Sequence, residues 1–560
     1  MDRSDLPVLV VGAGPVGMIQ TLLLRQLGVD TRLIERREGP IRAPAAHVVS
    51  PRTFEICRGA GVDMDALMTH AGDPIDAGHA VWKTQLAGEF IAKLPFERQG
   101  DDVLALTPTP LRNLGQHHFE QELHRTLLRD GGEPEYGTTW LSADRTDDGV
   151  VSRVRDDRTG EIETIRSRHL IAADGAGSRI RKALDIAMDG PPKIQTFVMI
   201  HFGADLRSHV GDHPGILYWL LDPRSSPGAF VAHDIDREWV YMHPYDDDHE
   251  TVDDYPPDRC AELIQRAIDA DVPPAIDIHQ VGTWNMSAQV AEAYRRGDVF
   301  LVGDAAHRFP PTGGLGLNTG VQDAHALAWR IAAIADGWAP ETLLDSYESE
   351  RRPVAVHNTE QSLANAMRLI EVPQATGTLE DPTLARMEET LADPEGRRAV
   401  ERAIAHQSEH FDMLALQLGY RYDDGAVVPD GTAPPAIDNP VRDFVPTARP
   451  GARLPHGWVE RDGHRISTLD LIEPGTFTLL TATPSARWDA CVDAGVGVPL
   501  RVLAIGRDVI DADGAWTTTV GLDADGAVLV RPDQHVGWRS RSMPDEPAAA
   551  VADALRTIVG

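Results

Sequence analysis

The chain has 560 residues, 42% apolar and 25% charged, and its 53 Lys and Arg against 86 Asp and Glu give a formal net charge of −33. These proportions exclude wholesale disorder, and so acidic a surface excludes nucleic acid and anionic membranes as broad partners. Three dispersed cysteines, Cys57, Cys260 and Cys491, with no CxxC spacing, argue against a disulfide framework or structural zinc, and with no long apolar run they predict a soluble, cytoplasmic protein.

In chain order, an apolar run at 8–11 predicts a buried strand, followed by a glycine-rich turn. Val16, Ile19, Leu23 and Leu27 recur at helical spacing and predict a helix over 16–27, stopped by Gly28. A strand at 31–34 completes a βαβ unit, so the sheet is parallel. Residues 100–190 mix a helix at 115–130 with strands and end in one at 169–172. Short segments at 197–201, 216–221, 229–232 and 239–243 predict an antiparallel sheet with one face available to a ligand. A strand at 298–303 and a helix from about 318 to 335 resume the first pattern. Residues 340–415 read as helical and charged, 424–456 as a Pro-, Gly- and Asp-rich linker, and the chain from 457 as α/β again, with strands at 476–481, 500–505 and 527–530.

Three glycine-rich segments carry chemistry. Gly12-Ala13-Gly14-Pro15-Val16-Gly17 follows a strand and opens a helix. Gly12 permits the tight turn, Gly14 lets backbone approach a pyrophosphate, and Gly17 lets the helix pack close to the sheet. Glu35, 18 residues past Gly17, can accept hydrogen bonds from a ribose diol, which suits FAD or NAD better than NADP. A glycine turn in an ordinary βα unit is the alternative. The second segment, Asp174-Gly175-Ala176-Gly177, follows the strand at 169–172. The third runs from Asp298 to Asn318. There Asp304 ends a strand and can hold a ribose or ribityl hydroxyl. Gly313, Gly314 and Gly316 let backbone lie against a flat ring, and the helix N-terminus at Leu317-Asn318 offers N–H groups to an anionic ring edge.

Together GAGPVG, ADGAGSRIR and VFLVGDAAHRFPPTGGLGLNTGVQDAHALAWR resemble the class A flavin monooxygenases, the aromatic hydroxylases of the para-hydroxybenzoate hydroxylase type. PAAHVVSPRTFEIC and VRPDQHVGWR are similar to stretches of the phenol and dichlorophenol monooxygenase branch. The resemblance covers nearly the whole chain. It implies an α/β fold: a Rossmann-type FAD-binding domain (1–80, 100–190, 285–370) and an inserted antiparallel substrate sheet (81–99, 191–284). A helical segment (371–423), the linker (424–456) and a thioredoxin-like C-terminal domain without redox cysteines (457–560) follow.

The resemblance further implies FAD as cofactor, NADPH or NADH as co-substrate, and hydroxylation of a phenolic or phenol-like ring by dioxygen through a flavin C4a-hydroperoxide. By the same likeness, Gly12, Gly14, Pro15, Gly17, Glu35, Arg36, Arg42 and Gln116 serve the nucleotide. Asp174 and Gly175 serve both FAD and the nicotinamide, Asp304 the ribityl chain, and Pro311, Gly314, Gly316, Leu317 and Asn318 the ring. His47 and Pro311 are the catalytic candidates. His47 stands where a phenol-hydroxylase relative places an acid–base group, and a histidine packed by the flavin without chemistry is the other reading. Tyr218, Trp219, His233 and Tyr241, on predicted strands of the middle sheet, are either pocket or core. His117, His118 and His201 read as solvated or capping, with no metal site. A small aromatic substrate, dioxygen and a homo-oligomeric partner are expected. The rivals are an FAD oxidase or dehydrogenase on the same domain, and a non-catalytic flavin-holding protein.

Overall fold

A computed structural model describes residues 6–225, 228–493 and 496–560; residues 1–5, the start of the first segment assigned above, lie outside them. The leading strand Leu6–Val11 pairs in parallel with Thr31–Glu35 on one side and with the end of Ile162–Ala172 on the other. Val299–Leu301 extends the sheet in parallel beyond Ile162–Ala172. The central strands are buried on both faces, as near-continuous apolar runs in a parallel sheet should be. Two helices close it. The first, Pro15–Gln26, starts directly after the glycine turn, and the long helix Leu315–Ala335 crosses it. They meet at small residues: a Cβ on Gly320 would lie 2.6 Å from Val16 Cγ2 and 2.9 Å from Gly303 Cα.

A seven-stranded sheet is inserted into this domain, in the order Asp277–Met286, Gln195–Gly203, Glu238–Pro244, Ala229–Asp234, Leu217–Leu220, His79–Lys83, Phe90–Pro95. It is antiparallel except for one parallel pair, Leu217–Leu220 with His79–Lys83, where two distant chain segments join. Period-2 alternation splits its side chains between two cores. Val81, Tyr218, Phe230, Trp239 and Tyr241 pack on the helix Pro257–Ile268 through Cys260 and Ile264. Trp82, Leu217, Val231 and Val240 face the other way, towards the FAD-type domain and the helical segment after 370.

Two expectations shift. The long helix begins at Leu315 rather than near 318, because Gly314 supplies the left-handed cap. Residues 424–456 carry almost no regular structure but are not a loose tether: Val427, Ala448, Arg453 and Leu454 are buried, so this stretch is a packed strap.

Beyond the strap, Phe477–Thr481 pairs in parallel with Leu500–Ala504 and antiparallel with Ala527–Val530, which continues into Val536–Ser540 and the closing helix Pro547–Val559. The turn Arg531–His535 plugs into the first domain. Arg531 pairs with Glu350 at 2.7 Å, and Arg52 donates to Gln534 Oε1 at 2.6 Å and to Glu55 at 3.0 Å, all buried. Arg453 of the strap joins Glu55 as well. These charges are bridged by several hydrogen bonds each, the condition under which burial of ions is tolerated.

Candidate active site

At the first turn, Gly12 takes φ +106, and a Cβ there would meet Ala173 O at 2.2 Å. A Cβ on Gly17 would meet Gly12 O at 1.8 Å, whereas one on Gly14 would meet nothing within 4 Å. Gly14 therefore faces open space at a helix start whose N-cap has no side-chain partner, an arrangement that leaves amide N–H groups for an anion. Glu35 Oε2 accepts from Ala13 N at 2.8 Å and Oε1 from Arg37 N at 2.9 Å. Burial pushes its pKa up, but those bonds and the Arg37 charge outweigh it and hold the carboxyl below its usual range, hence ionised.

Arg37 is a second arginine at this wall. It donates to Ala13 O at 3.1 Å and reaches Glu120, while Arg36 and Arg42 are exposed and make none of these contacts. Gln116 belongs to the same network, donating to Glu120 Oε1 at 2.9 Å and accepting from Ala46 N at 3.3 Å. Glu120 was missed in sequence because a buried acid inside a helix carries no local signature.

Asp174 accepts from Arg179 N at 2.8 Å through Oδ2, and its buried Oδ1 has no partner among the described residues. Asp304 is exposed to solvent at the end of its strand, and the protein around it raises its carboxyl. Its turn is fixed from behind by Asp323, which accepts from Gly303 N at 3.1 Å and pairs with His307 at 2.8 Å and Arg351 at 2.8 Å.

The long helix starts at Gly314, φ +62, without a side-chain cap, so its first N–H groups are unclaimed. A Cβ on Gly314 would strike Val48 at 2.5 Å, and one on Gly316 would touch nothing within 4 Å. Pro311 is exposed beside them, and Leu317 is half-buried. The role expected of Asn318, a backbone N–H at the helix start, leaves its side chain free for other work. Its side chain is fully committed to protein: Oδ1 accepts from Ser50 N at 2.9 Å and Thr53 Oγ1 at 2.7 Å, and Nδ2 donates to Val48 O at 3.0 Å and Gly314 O at 2.6 Å. Only its backbone is left to face a cofactor. What the side chain does is clamp the 47–53 segment onto the helix start.

His47 begins that segment. Its Nδ1 lies 3.0 Å from Asn113 Oδ1, and Asn113 Nδ2 donates to Ala77 O at 3.2 Å, which orients the amide. The proton therefore sits on Nδ1 and the basic lone pair on Nε2. Burial, partly offset by the Asn113 bond, lowers its pKa, so the ring is neutral at pH 7. Phe96 and His233 approach His47 at 6.0 and 5.8 Å between ring centres. Trp219 shares the face of His233, half-buried, with an indole N–H that has no partner among the described residues.

Tyr218 and Tyr241 do not join them. Both are on the opposite face, fully buried against the helix Pro257–Ile268, and the Tyr218 hydroxyl is taken up by Gly215 N at 2.8 Å. The strand period alone cannot say which face is lined by ligand.

These residues fit FAD: two glycines open to space at two helix starts, an unpartnered buried carboxylate oxygen at Asp174, and an exposed carboxylate at Asp304. The comparisons agree. Residues 5–362 match the FAD binding domain family and 447–560 the aromatic-ring hydroxylase C-terminal family. The chain belongs to the FAD-dependent aromatic-ring hydroxylases. The hydroxylase is 34% identical to 2,4-dichlorophenol 6-monooxygenase of Cupriavidus pinatubonensis, over 99% of this chain and 96% of that one. It is 32% identical to tetracenomycin A2 monooxygenase-dioxygenase of Streptomyces glaucescens, over 100% and 98%. Among solved structures it resembles the flavin-dependent monooxygenase PieE in complex with FAD and substrate, at TM-score 0.91, 34% identity and 99% coverage of both chains. The hydroxylase is thus an FAD-dependent monooxygenase, and the oxidase reading is not favoured. Among its described residues no helix is long and apolar enough to cross a membrane.

Proposed function

We propose that this hydroxylase inserts one atom of dioxygen into a phenolic or phenol-like ring at the expense of NAD(P)H. The observation that carries the reading is the placement of a neutral, tautomer-fixed His47 on the segment that Asn318 clamps to the uncapped helix start.

FAD, when bound, supplies hydride acceptance from NAD(P)H and activation of dioxygen. Gly12, Gly14 and the first helix bind its pyrophosphate, Glu35 and Asp304 its hydroxyls, and Asp174 offers a free acceptor oxygen. The amides at Leu315 and Gly316 lie at the positive end of the long helix, worth about 0.3–2 kcal/mol to a negative ring edge. His47 Nε2 accepts the phenol proton, because Asn113 holds the other nitrogen protonated. His233 and Phe96 flank the ring and keep water out, His233 being neutral because burial lowers its pKa far below the usual value. Trp219 has a spare donor for a substrate oxygen.

We extend the proposal to the C-terminal unit, which we read as thioredoxin-like. A βαβ pair followed by a hairpin and a helix, in the order 500–504, 477–481, 527–530, 536–540, supports it. Cys491 is alone and buried, so the unit has no dithiol. A cytoplasmic homo-oligomer completes the proposal.

The test is a panel of phenols with the flavin-loaded protein and NADPH or NADH. Phenol-stimulated reductant and oxygen consumption with a hydroxylated product is expected. Flavin reduction by the phenol itself, without NAD(P)H, overturns the reading in favour of an oxidase.

A further inference from the structure

The fold assembles a cluster that the chain order disperses. His117 and His118 open the helix Gln116–Arg129, and Glu238 starts the strand Glu238–Pro244 of the inserted sheet. One ligand atom from each of these three lies within 4.8 Å of the other two, with His117 buried and His118 and Glu238 half-buried. His117 Nε2 is 3.7 Å from Glu238 Oε1. A tetrahedral zinc ion separates its nitrogen and oxygen ligands by roughly 3.4 Å, so modest side-chain closure brings the set to bonding geometry. The cluster lies one ring beyond the pocket, with His117 and His233 6.4 Å apart between centres.

Other neighbours complete the cluster. The Nδ1 atoms of His117 and His118 are buried and have no partner among the described residues; in His117 it is Nε2 that faces Glu238, while Nδ1 lies beside Gly115. His201 Nε2 meets Glu238 Oε1 at 3.1 Å, the kind of partner that orients a ligating carboxylate. His70 stacks on His118 at 4.4 Å between ring centres.

We propose that His117, His118 and Glu238 form a binding site for a divalent transition metal of the zinc class, with water completing the coordination. The ion pins the helix at 116 to the inserted sheet beside the pocket. It is separate from the flavin chemistry, which needs no metal.

The test uses the flavin-loaded protein stripped with chelator and dialysed against zinc. One zinc per chain is expected, with cobalt substitution giving a ligand-field band at wavelengths beyond the flavin absorption. Glu238→Gln and His118→Ala, each retaining flavin and native far-ultraviolet dichroism, should lose the bound metal. His201→Ala should weaken it ~10–100-fold. Added zinc should raise the melting temperature of the unaltered protein but not of Glu238→Gln. Failure to bind zinc, or binding unchanged in both ligand variants, overturns the proposal, and the histidines are then proton-sharing neighbours only.

Discussion

Replacing Asn318 by Leu keeps a helix former of similar size and removes the amide. Four contacts disappear, to Ser50 N, Thr53 Oγ1, Val48 O and Gly314 O. The Thr53 hydroxyl keeps Ser50 Oγ at 3.3 Å, and the Gly314 carbonyl keeps its place in the helix ladder. The Ser50 amide, in a fully buried residue, has no second partner among the described residues. Leaving that N–H unpaired costs about 1–3 kcal/mol, and the lost bond to Val48 O adds about 0.5–1.5 kcal/mol, so about 3 kcal/mol is a fair central value. Because the Asn318 clamp joins the 47–53 segment to the uncapped start of the long helix, the loss should be expressed in cofactor binding, at about 1.4 kcal/mol per tenfold: ~100-fold weaker flavin. Quenching of flavin fluorescence on titrating the apoprotein measures it. Asn318→Asp retains both acceptor contacts and should fall in between. Flavin affinity within about twofold of the parent in Asn318→Leu, with unchanged melting, would refute the clamp.

The glycines divide by the space around them: Gly14→Ala meets nothing within 4 Å and should fold but bind flavin poorly, whereas Gly17→Ala, facing Gly12 O at 1.8 Å, should fail to fold, as expression and dichroism will report. His47→Ala should lower phenol-dependent turnover ~10²–10⁴-fold near neutral pH and recover as pH approaches the phenol's own pKa. In the parent enzyme, protonation of His47 removes the base, and since burial lowers its folded pKa, kcat/KM should hold as pH falls through 6.5 and drop only below it. Glu97 is a buried carboxyl, raised to about 8 by burial, whose stabilising neutral form is fully present below the unfolded value of 4.5 and lost as pH rises through 8; Glu97→Gln should therefore flatten the decline in melting temperature between those limits. Arg531→Met removes both guanidinium bonds to the buried Asp533 carboxylate, leaving it Trp329 Nε1 and the His535 amide while Glu350 keeps Arg330, and should cost about 3–5 kcal/mol in denaturant unfolding.

Much of the nucleotide half was legible because its determinants are local. A strand, a glycine turn, a helix and an acid at the next strand end are spaced along some 30 residues, and Gly12, Gly14, Gly17 and Glu35 each have a backbone reason to be there. The substrate half was not, for the same physical reason in reverse. The period of 2 showed that Tyr218 and Trp219 face opposite sides but not which side meets the flavin, since the helix Pro257–Ile268 that claims the Tyr218 face lies some 40 residues further on. Arg37 and Arg36 are equally good cations on paper, and only the end of strand Thr31–Glu35 turns one of them inward. The His117, His118 and Glu238 cluster joins residues about 120 positions apart. The charged run Arg531–His535, legible as a motif, becomes intelligible only when its partners Glu350 and Arg52 are seen to be buried with it.

As proposed, the hydroxylase directs one oxygen atom of dioxygen onto a phenolic ring. Turnover under isotopically heavy dioxygen, with product analysed by mass spectrometry, tests it most directly. The account predicts one heavy atom per hydroxylated product, its partner in water, and one NAD(P)H consumed for each. A product carrying oxygen from water, or oxidised with no oxygen added, would contradict it.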